Sequence, residues 1–145
     1  MPNVFDVAAY ILKKNGPMTA MKLQKLVYYS QAWSLVWDDN PLFPEEIEAW
    51  ANGPVVPALY DWHRGAYKVA SCHKGDHESL TPEQMETVDG ILAFYGDKTS
   101  QWLSDLTHSE DPWRDARKGL APGQWGRRTI SHAAMGEYYG SLSAG

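Results

Sequence analysis

A chain of 145 residues with 43% hydrophobic and 21% charged residues has the balance of one globular domain, neither disordered by composition nor dependent on a metal or disulfide to bury a core. Its formal charge of −5, with no basic run longer than Arg127-Arg128, argues against a general nucleic-acid binder, which needs clustered Lys and Arg to displace phosphate counterions. The single Cys72 excludes an internal disulfide, no apolar run approaches the ~20 residues that span a bilayer and no signal peptide is visible, so a cytoplasmic location is expected.

Asn3 predicts the cap of a first helix, with Phe5, Ala8, Ala9 and Leu12 on one face. Asn15-Gly16-Pro17 ends it. Thr19 caps a longer helix to about Trp37, in which Leu23, Leu26, Ser30, Trp33 and Trp37 follow the helical period. Tyr28, Ala32 and Leu35 make the opposite face apolar too, and a helix greasy on two faces belongs at the centre of a fold.

Ile47 to Trp50 has strand character, and Asn52-Gly53 signals a turn, although Pro54 directly after it argues against a regular hairpin. The chain is expected to turn there into a third helix with Pro57 in its first turn and Gly65 at its end. Lys68 to Ser71 reads as a second short strand, pairing with Ile47 to Trp50. His73 to Leu80 reads as a loop. Thr81-Pro82-Glu83-Gln84 is a strong helix start, with Thr as cap and Gln closing a capping box. A further helix carries Trp102, Leu103 and Leu106, and Asp111-Pro112 starts a short turn through Trp113 and Arg117. Gly119 to Gly126 is a loop, and Ser131 caps a last helix bearing Met135, Tyr138, Tyr139 and Leu142. The expected fold is mainly α, α+β at the margin: a compact single-domain helical bundle over residues 1–145 around a central long helix, with a short two-stranded β element.

No motif here carries chemistry on its own. Cys72, His73, His77 and Glu78 are ligand-type residues, but a structural zinc site wants a second pair that the chain lacks, so no metal and no cofactor is expected. Ser104, Asp105, His108, Ser109, Glu110 and Asp111 include nucleophile and acid-base types. Without a presenting motif such as G-x-S-x-G they read as helix caps and a fixed corner at His108, leaving a small hydrolase-like enzyme as an alternative. The first two helices, joined by a Gly-containing turn, also allow a helix-turn-helix DNA reader in which Lys22, Gln24, Lys25 and Gln31 would face the groove. The heavy aromatic load, 7 Trp and 8 Tyr, is core material that also anchors protein interfaces.

Four blocks in order carry a family resemblance: Lys22 to Tyr29; Pro41-Leu42-Phe43 with Ile47 to Trp50, Gly53 to Pro57 and Leu59-Tyr60; Trp102-Leu103 through Leu106 to His108, Pro112-Trp113 and Ala116-Arg117; and Ile130-Ser131 leading to Tyr138-Tyr139. Together, over about Val4 to Tyr139, they resemble the Panacea-domain family, whose known members include SocA-like antitoxins and phage-associated GepA proteins. The resemblance implies an antitoxin, not an enzyme, that neutralises a cognate protein toxin by direct binding. Prophage-borne members and SocA-like proteolytic adaptors, which deliver a toxin to a ClpXP-type protease, are the related expectations. Partner contacts are expected at Trp50, Tyr60, His108 and Trp113, with acidic residues steering a basic or neutral toxin. Nucleic acid and membrane are not expected as partners.

Overall fold

In the computed structural model, which describes residues 1–144, everything is arranged around one helix. The elements in chain order are α1 (Val4–Asn15), β1 (Met18–Thr19), α2 (Ala20–Trp37), β2 (Ile47–Trp50), β3 (Gly53–Val55), α3 (Pro57–His63), β4 (Lys68–Val69), a 3-10 turn at His77–Ser79, α4 (Pro82–Tyr95), α5 (Ser100–Ser109), α6 (Asp111–Ala116), β5 (Arg128–Ile130) and α7 (His132–Ala144). The mainly helical bundle expected from the periodicity is what forms. Helix α2 is buried without a break from Leu23 to Ala32, because α1, α4, α5 and α7 all pack on it. Its aromatic residues join a stack: Tyr29 lies parallel to Tyr95 at 4.2 Å, and Tyr28 and Trp33 meet Tyr139 of α7.

Helix starts follow their caps. Thr19 Oγ1 accepts from Lys22 N, and Thr81 and Gln84 form the reciprocal box. Asn3 forms a box as well, because Asp6 Oδ2 accepts from Asn3 N at 3.0 Å. The other oxygen of Asp6 accepts from Asp76 N, which ties the polar segment around His77 down onto α1.

The strands differ from expectation. Lys68–Val69 pairs with Met18–Thr19, not with Ile47–Trp50. Instead β2 pairs on one side with β3, through the two-residue turn Ala51–Asn52, and on the other with β5, giving the order β3-β2-β5. So the β content is two small antiparallel sheets and includes the hairpin that Pro54 argued against. Pro54 is tolerated because β3 is an edge strand, where one residue without an N–H leaves no ladder bond broken. Gly53 opens that strand at φ +131°, a backbone that L side chains rarely adopt.

Candidate protein-binding groove

Two glutamines on α2 hold the chain on either side of the β2–β3 hairpin that shapes the site. Gln24 Oε1 accepts from Val56 N at 2.9 Å, and its Nε2 donates to Val56 O at 3.3 Å and to His63 Nε2 at 3.0 Å. Burial holds the His63 pKa below its ordinary value, which suits a neutral ring accepting at Nε2. Gln31, two turns further along the same helix, accepts at Oε1 from Leu42 N (2.6 Å) and Phe43 N (3.3 Å) and donates to Phe43 O (2.9 Å). Both side chains are 0% exposed. They give buried backbone groups of Leu42, Phe43 and Val56 partners outside any sheet.

The turn so fixed presents a groove of about 680 Å³. Trp50 and Tyr60 form one wall and pack edge to face at 4.9 Å. Trp125, 77% exposed, forms another. Met21, Val55 and Pro57 supply apolar surface, and Arg64 and Arg127 stand over the Tyr60 and Trp50 rings, each at 5.6 Å. A second hollow shares Met21 and Tyr60 and runs on to the exposed Tyr67. The loop bearing Trp125 is drawn in by Arg117, which is buried: its Nη1 donates to Ala49 O at 3.1 Å and its Nη2 to Gln124 O.

Of the four residues expected at an interface, Trp50 and Tyr60 line this groove, half-buried. Trp113 and His108 lie behind it. Trp113 Nε1 donates to Trp50 O at 2.8 Å, and the His108 ring stacks on Trp113 at 4.2 Å, 14° from parallel. Sequence reasoning missed Trp125, Arg64 and Arg127. Their signal was weak: Trp125 and Arg127 stand at the edge of a Gly-rich loop, and Arg64 is a lone cation at the end of α3.

The other chemistries find no geometry. His108 bonds neither Ser104, Ser109 nor an acid; Ser104 Oγ donates to Asn52 O and Ser109 Oγ to Leu106 O. Glu110 is committed to the core: its Oε1 accepts from Tyr29 and Tyr139 hydroxyls, both at 2.7 Å, while burial pushes its pKa up. Gln24, Lys25 and Gln31, the polar residues a recognition helix would offer to DNA, are at most 1% exposed, so α2 cannot enter a groove. Cys72 is buried and its thiol pKa is raised by that burial. Among the described residues no three His, Cys, Asp or Glu side chains converge as metal ligands, and no helix is long and apolar enough to cross a membrane.

Comparison with known proteins returns one family model, described as antitoxin SocA-like, Panacea domain, over residues 23–114. That stretch contains both glutamine clamps, Trp50, Tyr60, His108 and Trp113, whereas Trp125 and Arg127 lie beyond it. No curated protein and no solved structure matches the chain.

Proposed function

We propose a function from one premise: the chain belongs to the SocA-like antitoxin family, Panacea domain. It neutralises a cognate protein toxin in the cytoplasm by direct, stoichiometric binding and catalyses no reaction. The family match over residues 23–114 carries this reading. The groove supports it, because partly exposed aromatic side chains braced by hydrogen bonds are the kind that anchor protein interfaces. In this reading Trp50 and Tyr60 touch the toxin. Trp113 and His108 hold the Trp50 backbone in place from behind.

The test is toxin rescue. The gene beside this one is expressed from its own promoter, alone and together with this chain, while growth and co-purification are followed. Growth arrest relieved by the chain, with both proteins eluting as one complex, is expected. Rescue without a recoverable complex, accompanied by a shorter toxin half-life only when a ClpXP-type protease is present, would replace blocking with delivery for degradation. No toxicity from either neighbouring gene would overturn the reading.

A further inference from the structure

The two arginines of the groove have donors to spare. Arg127 gives only its Nε to Glu48 Oε1, at 2.9 Å; neither of its Nη groups meets an acceptor among the described residues. Its side chain is half exposed, while Glu48, which also takes the Trp50 Nε1 donor, is only 17% exposed and cannot follow it outward. Arg64 gives Nη2 to Asp61 in a largely exposed i,i+3 pair of the kind that water and salt easily exchange. Each guanidinium is thus held over an aromatic ring with part of its planar fork open, the arrangement that receives a carboxylate through two parallel bonds.

The charge of the hollow differs from that of the molecule. Its lining has Arg64 and Arg127 against Asp61, with Glu48 bonded to Arg127 from behind, so the hollow is close to neutral while the whole chain carries −5. Resting on the reading that a toxin occupies this groove, we infer that its occupant is a short acidic segment of that partner. Carboxylates of the segment meet Arg64 and Arg127, and an apolar or aromatic side chain sits among Trp50, Tyr60 and Trp125. This is the reverse of the basic partner that the net charge suggested, because most of the acid lies outside the groove and the donors left open within it belong to the two arginines. A single-stranded nucleic acid would use the same rings and cations. However, Asp61 and Glu48 already offset the two cations, so a nucleic acid, which depends on neutralising several phosphates, gains less there than a peptide that sets one or two carboxylates on the open donors.

Random peptides displayed on phage, selected on the intact chain and counter-selected on Trp50→Ala/Tyr60→Ala, test this without knowledge of the toxin. Trp125→Ala, at an exposed position, is a second counter-selection that should leave the fold intact. Recovered peptides should be enriched in Asp or Glu beside an apolar residue. Arg64→Glu/Arg127→Glu should weaken them about ten-fold or more at low salt, and Arg64→Gln/Arg127→Gln should act in the same direction. Enrichment of basic peptides, enrichment indifferent to the aromatic residues, or tighter binding of an oligothymidylate would overturn the inference. If the charge-reversed chain still co-purifies with its toxin while Trp50→Ala/Tyr60→Ala does not, the acidic segment is wrong and toxin binding stands. If acidic peptides bind but no neighbouring gene product is neutralised, the groove chemistry stands and the antitoxin reading falls.

Discussion

Gly53 sits directly over Lys25. A Cβ built at position 53 would come within 2.6 Å of Lys25 Cε and 3.0 Å of its Nζ, and the backbone there holds φ at +131°. The first strand residue after the hairpin turn is therefore glycine for two separate reasons, conformation and space. Gly53→Ala should destabilise the chain by about 2–4 kcal/mol, combining backbone strain with a close contact in a packed core. Urea unfolding measures it. Pairing it with Lys25→Ala should recover the part due to the contact and leave the part due to φ, so the two substitutions should couple. Simple additivity would show that the contact contributes nothing.

The amine beneath Gly53 makes stability depend on pH. Lys25 Nζ is buried without a hydrogen-bond partner, and burial lowers its pKa to about 8. The unfolded chain, with an ordinary lysine near 10.5, binds more protons than the folded one between those values, so stability rises with pH from about 8. The full effect is on the order of 3 kcal/mol. Buried tyrosines Tyr28, Tyr29, Tyr95 and Tyr139 act oppositely above pH 10. Their pKa values are raised by burial, so the unfolded state loses protons first and stability falls. Urea midpoints should therefore climb from pH 8 to a maximum near 10 and then drop. In Lys25→Met the climb should disappear, and the protein should be more stable than the parent at pH 7 by about 1–3 kcal/mol, since a buried unpaired amine is replaced by a thioether of similar length. A parent chain with flat midpoints over that range would show that Lys25 finds a partner in solution.

Glu110 gives a second, acid-side dependence. Its folded pKa is raised by burial despite the two tyrosine donors. A carboxyl of that kind contributes stability that is fully present below its unfolded pKa and lost as pH rises through the folded value. Glu110→Gln keeps an acceptor for Tyr29 and Tyr139 without an ionisable proton. Its stability relative to the parent should therefore be greatest at neutral pH and shrink on acidification, as thermal unfolding at a series of pH values would record. A gap that widens as pH falls would mean the carboxylate is the favoured form in the folded state.

How far the sequence discloses this molecule depends on what carries the signal. Helices announce themselves locally: Thr81 with Gln84 and Asn15-Gly16-Pro17 punctuate the chain where the helices start and stop. Strands of two to four residues have no alternation to read, and their partners are chosen by the helices at their ends. Thus β4 lies beside β1 because α3 and α2 bring them together, and β5 emerges from a loop with no period at all. Polarity misleads within α2. Gln24 and Gln31 look like surface residues of a recognition helix, yet both are enclosed, and a pair of glutamines spaced by two turns on a helix greasy all round is the trace they leave. Of the groove, Trp50 and Tyr60 are legible as aromatic flanks of the Gly-Pro turn. Trp125 and Arg127 are not, since the Arg117 bonds to Ala49 and Gln124 that bring their loop inward are tertiary.

The glutamine clamps should be among the most sensitive positions of the fold. Gln31→Leu removes the acceptor of two backbone N–H groups and the donor to Phe43 O, leaving them buried and unpaired. At about 1–3 kcal/mol for each of these groups, the loss should be about 3 kcal/mol or more. Gln31→Glu is the informative companion. It retains the acceptor but loses the donor and introduces a buried charge, so it should recover part of the loss at low pH and little at neutral pH. Equal stability of the two variants at all pH values would locate the cost in packing instead of hydrogen bonding.

Trp113 separates support from contact. Its indole donates to Trp50 O and carries the His108 ring on its face, but it does not line the groove. Trp113→Phe deletes the donor while keeping a ring for His108 to stack on. It should cost about 1 kcal/mol of stability, as one hydrogen bond to a partly buried carbonyl. If toxin binding runs through the face of Trp50, the same change should weaken the complex by a few-fold through looser positioning, mainly as faster dissociation. Trp50→Ala removes the contact itself and should weaken it by a hundred-fold or more, with ~2 kcal/mol or above marking an interface anchor. Surface plasmon resonance on the purified pair distinguishes them. If Trp113→Phe matches Trp50→Ala in its loss, Trp113 touches the partner itself and the binding surface extends around the helix corner. If neither changes the off-rate while both lower the melting temperature, the two tryptophans hold the fold and the toxin docks elsewhere.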